Sequence, residues 1–487
     1  MALSICFSLF SGVLFFLSFP PAGLNFLIWI FLVPLFYACS EKSSKGFFYG
    51  FLAGLSGFCL NLYWIYPTVR GAGESFLVSF GALFLLSAVL SFFPAVFTLS
   101  FRGSSLFVAA SGTLLSYLRG IILTGLPWCA LYVSQAKSPL FLQITGLAGP
   151  HFLTFVIIFF NHSLFRAVKK RERRYVIYAL SVFLFTAVFG IVRISRTVEA
   201  VEKKIFIGQL NIPQDIKWDS ASGGFIMERI RTFVLSSKGA DLVVFPESCL
   251  PGVLNYDRYV NRFLEDMKKE TDSPVLFGAA VFMNGKLYNT ALLLEPRGKE
   301  QFYLKRKLVP FGEFVPFKNF FSRFVNVLNE VGDFTPGTAP GLLKTEGLSV
   351  APLICNEVIF PYLWRGAGNL IVNISNNAWY GKTSAAEQHL WHASAAAAAT
   401  GLPVIFANNR GPSAFIDARG RVLKKTEMFS CELVSCEVQI PAKASFYQRT
   451  GDLFILLILI FMIAAVLKEI GKNGVTSIFY FCINKKK

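Results

Sequence analysis

The sequence predicts an integral membrane α-helical bundle of about eight transmembrane helices that carries an extracytoplasmic α/β domain. Three observations lead there. Of the 487 residues 54% are hydrophobic, and a mean hydropathy of +0.53 is too apolar for an ordinary soluble protein. The first 195 positions and a stretch near the C-terminus hold most of the long uncharged runs. Between them, from 196 to 450, short β-branched and aromatic runs alternate with helix-length amphipathic stretches.

Mostly apolar runs of roughly spanning length fall near 3–19, 22–39, 47–66, 76–100, 104–124, 150–166, 175–193 and 453–467. No Lys or Arg precedes Lys42, so the first run lacks the basic start of a cleavable signal and is expected to stay in the mature chain. Basic residues in short loops set the orientation. Lys42 and Lys45, then Arg102, then the cluster Arg166, Lys169, Lys170, Arg171, Arg173 and Arg174 mark alternate loops as cytoplasmic, while Arg70 and Lys137 are the sparse charges of the opposing ones. The N-terminus is therefore expected inside, and the last span returns the chain to a cytoplasmic tail ending in Lys485, Lys486 and Lys487. Three domains follow: 1–195 with about seven helices, an outer domain over 196–450, and 451–487 with the closing helix. The net charge of +18 is concentrated beside apolar spans, which excludes nucleic acid as a partner.

Within the outer segment, IFIGQLNI (205–212), DLVVFPES (241–248), SPVLFGAAVF (273–282), YNTALLLEP (288–296), LSVAPLICNE (348–357), NLIVNISNN (369–377) and PVIFANNR (403–410) read as strands. Residues 225–239, 256–270 and 387–401 read as helices, so the domain is α/β.

In α/β sheets reactive groups gather where strands end. Glu247 closes DLVVFPES, Cys355 closes LSVAPLIC, and Lys305 lies in YLKRKLVPFGEFVP (303–316) just after a strand hairpin. A thiol needs a neighbouring base to become a nucleophile, Glu247 sits in the apolar setting that suits one, and an ammonium stabilises thiolate and oxyanion alike. Taken singly, each residue has a bland alternative: a solvated cap, a surface lysine, a core cysteine. The nine cysteines include no CxxC pair and no His/Cys cluster with zinc spacing, so no metal is expected.

FPES (245–248), YLKRKLVPFGEFVP and ICNE (354–357) together resemble the Glu, Lys, Cys triad of the nitrilase superfamily. With NIPQDIKWD (211–219), NNAWYG (376–381), EQH (387–389) and YQRTGD (447–452), nearly the whole chain resembles that superfamily's membrane-bound branch, the apolipoprotein N-acyltransferases. The resemblance implies a nitrilase-like α-β-β-α sandwich for the outer domain, with Glu247 as general base, Lys305 as oxyanion and thiolate stabiliser and Cys355 as nucleophile. It further implies supporting roles for Glu313, Glu357 and Trp218, the last on a loop guarding substrate entry. The family commonly has Tyr directly after the nucleophile, where this chain has Asn356.

The implied reaction moves an acyl chain from a membrane phospholipid to the free α-amine of a diacylglyceryl-modified apolipoprotein. It runs through a Cys thioester without a cofactor, in a monomer embedded in a bacterial inner membrane, with the catalytic domain on the periplasmic face. Rival readings are a membrane-tethered amidase or nitrilase and a non-catalytic lipid-binding scaffold. His389 and His392 share a helical face but lack a third metal ligand nearby, so His389 is read as orienting a loop near the site. Asn376, Asn377 and Trp379 are expected to shape the pocket. The aromatic stripe at 61–67 is read as an interfacial belt, and Arg119 as the intramembrane charge to suspect of a lipid-phosphate contact.

Overall fold

The computed structural model describes residues 1–41, 43–214, 216, 222–316, 334–366 and 368–473, so Lys42, Trp218, the segment 475–484 and the terminal lysines lie outside the described residues. Contacts divide the chain into two units. Among the described residues, Met1–Tyr66, Phe76–Arg196 and those from Arg449 onward form the first, and Pro67–Ser75 with Thr197–Gln448 forms the second.

The first unit is helical, and each apolar run predicted from the sequence falls on a helix or a pair of helices. Among the described residues three are long and apolar enough to cross a membrane unaided, Phe76–Ser100, Pro150–Lys170 and Arg173–Ser195, with a fourth if the bent pair Gly46–Asn61 and Ile65–Gly71 counts as one. Others are interrupted. The run at 22–39 is a 3-10 turn, Asn25–Trp29, followed by the helix Leu32–Glu41. The run at 104–124 stops being helical at Arg119, where the chain folds back so that Leu126 N–H donates to Arg119 O at 3.0 Å.

Broken backbone in an apolar unit leaves groups that must find partners inside the protein. Asn161 supplies them at the first break: its Oδ1 accepts from Leu32 N at 3.0 Å and its Nδ2 donates to Ile28 O at 3.0 Å. Gln135 does the same nearby, accepting from Trp29 Nε1 at 3.3 Å and donating to Asn25 O at 3.1 Å. Elsewhere small residues let helices touch: a Cβ on Gly50 would lie 2.4 Å from Pro94 O, and one on Gly54 2.6 Å from Pro94 Cγ. Arg119 is buried, donates through Nη1 to Trp128 O at 2.9 Å and lies over the Phe58 ring at 5.3 Å. Trp64, from the stripe read as a belt, is likewise buried and packs on Trp128 with ring centroids 5.0 Å apart.

The second unit is built from two sheets. The first holds β1 (Ala200–Gln209), β2 (Leu242–Val244), β3 (Val253–Leu254), β4 (Val275–Met283), β5 (Lys286–Leu294) and β6 (Glu300–Leu304). The second holds β7 (Leu343–Thr345), β8 (Leu348–Ile354), β9 (Leu370–Ser375), β10 (Val404–Asn408), β11 (Ala414–Ile416) and β12 (Val422–Lys425), while β13 (Glu432–Pro441) returns to the first. The spatial orders are β13-β1-β2-β4-β5-β6, with β3 beside β4, and β12-β11-β10-β9-β8-β7. β1, β2 and β4 are parallel, as are β8, β9 and β10, and antiparallel strands close the flanks.

Strand alternation decides what each side chain meets. Leu242, Val244, Leu276, Ala291 and Leu293 point into a core shared with Val350, Ile354, Val372, Ile374 and Ile405 of the other sheet. Val243, Phe245, Val275, Phe277, Leu292 and Leu294 point the opposite way, against Ile226, Ile230, Val260, Phe263 and Met267 of the helices Gly223–Ser236 and Arg258–Glu270. The buried helix Ala385–Thr400 packs on β10 and β11. Layering is thus helix, sheet, sheet, helix, and strands buried on both faces are apolar at nearly every position.

Candidate active site

Three chain segments bring the site together at strand ends. Glu247 follows β2, in a turn where Ser248 takes φ +48°. That turn lies so close to β4 that a Cβ on Gly278 would sit 2.4 Å from Glu247 Cα, so only glycine fits there. Lys305 is the first residue after β6 and is anchored by its N–H to Asn289 O at 2.9 Å. Cys355 is the first after β8 and adopts φ +52°, a left-handed conformation that strains a non-glycine residue by about 1–3 kcal/mol. Two donors hold it there: Asn373 Nδ2 and His389 Nε2 both reach Cys355 O at 3.1 Å.

The ionic centre is compact and nearly dry. Lys305, 1% exposed, places Nζ 3.1 Å from Glu247 Oε1 and 2.9 Å from Glu313 Oε2. Asn289 Nδ2 donates to the same two carboxylates, at 2.8 Å to Glu247 Oε1 and 2.7 Å to Glu313 Oε1. Glu247 Oε2 accepts from Asn376 N at 3.0 Å, and Glu313 Oε2 from Val309 N at 2.9 Å. Burial alone disfavours the Lys305 ammonium, but Glu247 and Glu313 reverse this and hold its proton well above the usual lysine range.

Cys355 feels the same field from the other side. Burial, and next the Glu247 carboxylate, push the thiol well above its ordinary range, while Lys305 and the Asn356 N–H pull it back. At rest the sulfur therefore keeps its proton, and any attack by it must hand that proton to a base as it proceeds. Of the neighbouring charges, the Glu247 carboxylate is the one that raises the thiol most.

Glu357 proves to be a brace. Completely buried, it accepts from Ile354 N at 2.8 Å and Tyr303 Oη at 3.0 Å through Oε2, and from Arg306 N at 2.7 Å and Lys307 N at 3.1 Å through Oε1. It thereby ties the strand before Cys355 to the loop that carries Lys305. His389 is fully buried, and burial lowers its pKa to about 4, so at neutral pH the ring is uncharged. With Nε2–H given to Cys355 O, Nδ1 is left to accept, which requires the Asn377 amide to be turned so that Nδ2 rather than Oδ1 takes the position 3.2 Å away. Asn376 caps the turn Asn377–Tyr380, whereas Trp379 projects outward, 55% exposed. Asn356 Oδ1 is buried without a hydrogen-bond partner among the described residues. No cysteine among them forms a disulfide, so Cys249, Cys431 and Cys436 are all in thiol form.

A family model for carbon-nitrogen hydrolases matches residues 197–446, and one for the apolipoprotein N-acyltransferase N-terminal domain matches 11–163. The apolipoprotein N-acyltransferase of Geobacter metallireducens is 33% identical over 474 residues, covering 91% of each chain. This chain belongs to the apolipoprotein N-acyltransferase family. Further members include that of Haemophilus influenzae, 30% identical over 87% of this chain and 86% of its own, and that of Rickettsia prowazekii, 30% identical over 91% and 95%. Glu247, Lys305 and Cys355 all fall inside the carbon-nitrogen hydrolase match.

Two residues at the centre escaped the sequence reading. Asn289 lies inside a strand-like run, where one polar residue carries no distinctive signal. Tyr380, within NNAWYG, has its hydroxyl pKa raised by burial and then by Cys355 and Glu247, which marks it as a neighbour of both.

Proposed function

We propose that this chain transfers an acyl group from a membrane phospholipid to the α-amine of the N-terminal diacylglyceryl-cysteine of apolipoproteins. The observation that carries this reading is a buried thiol beside an ion cluster of two carboxylates and one ammonium, at the strand ends of a family member's hydrolase domain. Cys355 Sγ attacks the ester carbonyl carbon while its proton passes to the Glu247 carboxylate. Lys305 directs two of its three N–H groups at Glu247 and Glu313 and the third at the oxyanion. The ester C–O bond breaks, Glu247 returns the proton to the departing lysophospholipid oxygen, and a thioester remains. The acceptor amine then attacks this carbonyl, Glu247 takes the amine proton, the C–S bond breaks, and the thiolate is reprotonated. An amide leaves and the enzyme is restored.

Water in place of the amine would make the same triad an amidase or esterase, but a bundle of several apolar helices exceeds what a tether needs. We extend the proposal to topology. About eight spans, cytoplasmic termini, domains at 1–195, 196–450 and 451–487, and a monomer with its catalytic domain on the periplasmic face of the inner membrane agree with the alternation of basic loops. A donor ester and a lipidated acceptor anchored in one leaflet would both reach such a domain laterally.

Intact-mass spectrometry after incubation with phospholipid alone tests the first half-reaction. The wild type should gain one acyl chain, labile to hydroxylamine and discharged by an amine-bearing lipopeptide, while Cys355→Ala should gain none. Intact phospholipid with no adduct on either protein would defeat the donor assignment, and free fatty acid released without transfer would favour the hydrolase.

A further inference from the structure

Asn289 stands in β5 opposite Ala280 of β4 and is 4% exposed. Asparagine is depleted in strands, and a buried amide is costly unless each of its polar groups is met. Here one is not: Asn289 Oδ1 has no hydrogen-bond partner among the described residues. An apolar side chain would suit the sheet better, as it does at Ala291 and Leu293 on the same strand.

The amide nitrogen is what the site uses. Nδ2 lies 2.8 Å from Glu247 Oε1 and 2.7 Å from Glu313 Oε1, and chemistry fixes its orientation, because the amide oxygen would be repelled by two carboxylates. Lys305 Nζ bridges the same pair at 3.1 and 2.9 Å. A charged donor and a neutral donor thus each span both carboxylates and close the ring Glu247, Lys305, Glu313, Asn289. Like-charged carboxylates held this close tend to take up a proton unless donors stabilise them. A second cation in the place of Asn289 would stabilise them too, but it would cancel the cluster's net negative charge and leave a poor base. A neutral amide adds two donors and no charge.

We propose that Asn289 is a positioning residue that keeps Glu247 an ionised base by holding it and Glu313 as a carboxylate pair around Lys305. The inference rests on Glu247 being the base, as proposed above.

The test is the rate of Cys355 alkylation by iodoacetamide, read by mass spectrometry across pH in the full-length protein, for the wild type, Asn289→Ala, Asn289→Asp and Asn289→Ser, with a thermal melt of each. Losing both donors should move the alkylation curve, and the acid limb of acyl transfer, to higher pH by about one unit, or about tenfold in rate at a fixed pH on the rising limb. The loss in acyl transfer should fall on kcat rather than KM. Asn289→Asp, the isostere with an acceptor facing the pair, should shift at least as far, and Asn289→Ser, which keeps one donor, should lie between wild type and Ala. A folded Asn289→Ala or Asn289→Asp with the wild-type curve would overturn the proposal. Should Asn289→Ala and Asn289→Asp melt too low to be read, a folded Asn289→Ser with the wild-type curve would overturn it instead. Alkylation needs no acyl donor, so a shifted curve in a protein that never transfers acyl groups would defeat the proposed function and leave the role of Asn289 standing.

Discussion

The two units bury polar side chains for different ends, and the identity of their partners tells the ends apart. In the helical unit, Asn161, Gln135 and Arg119 reach backbone carbonyls and N–H groups exposed where helices break or stop. In the α/β unit, Glu247, Lys305, Glu313 and Asn289 reach one another, and the backbone enters only as support. A buried side chain that satisfies backbone repairs the fold. One that faces other ionised side chains stores charge, and folding rarely favours that without a chemical use. The difference between the units should therefore show whenever stability and thiol chemistry are measured on the same variant.

The largest separation is expected at Lys305. Lys305→Met keeps length and shape but leaves Glu247 and Glu313 buried without their cation, a loss of about 3–5 kcal/mol for breaking a buried pair. Acyl-enzyme formation should fall by about 10³-fold, the scale of removing an oxyanion donor. A Lys305→Met protein that melts like the wild type would mean that the cluster is not held by charge, and the contrast between the units would lose its basis.

His389 sharpens the comparison, because it belongs to the α/β unit yet satisfies a carbonyl. Its pKa falls from an ordinary 6.5 to about 4 through burial. The unfolded chain therefore binds a proton that the folded one does not between those values, and stability rises with pH across that interval. The contribution should be complete above pH 6.5 and lost as pH falls toward 4, with an upper size of about 3 kcal/mol for a shift of this extent. Chemical denaturation at pH 7 and pH 5 should show this loss in the wild type and a smaller one in His389→Gln. Equal losses in both proteins would show that other groups set the acid sensitivity. Because the ring holds Cys355 O, His389→Gln should also slow alkylation modestly, a consequence absent for repairs in the helical unit.

The same contrast explains what could be read before the structure. All seven runs assigned as strands contain strands, since burial on both faces favours largely apolar sequence at β2, β4, β5, β8, β9 and β10. β13 carries no clear strand signal because it is an edge strand whose outer positions, such as Glu437 and Gln439, are polar, and the first half of β1 carries none because it holds Glu202, Lys203 and Lys204. Cys355, Glu247 and Lys305 were legible through flanking motifs, whereas Asn289 was not, because its meaning lies in two carboxylates distant in sequence. Hydropathy marked the apolar runs near 22–39 and 104–124 but not their breaks: the side chain that makes the first break tolerable, Asn161, lies 129 residues from Leu32, whose N–H it accepts.

That repair gives the smallest effect and the cleanest control. Asn161 is fully buried and makes three hydrogen bonds to backbone, to Leu32 N, Ile28 O and Ile157 O. Polar contacts within apolar helical units are worth about 0.6 to 2 kcal/mol, since the alternative state also finds partners. Asn161→Leu fills the volume and removes all three, so the melt of the purified protein should drop by a few degrees. The pH dependence of Cys355 alkylation should stay where it is, because no group that Asn161 touches is ionised. A variant that shifted the alkylation curve would show that a break in the helical unit reaches the thiol, and the division between repair and chemistry would have to be given up. A variant with an unchanged melt would instead mean that the backbone at Ile28 and Leu32 finds other partners once the amide is gone.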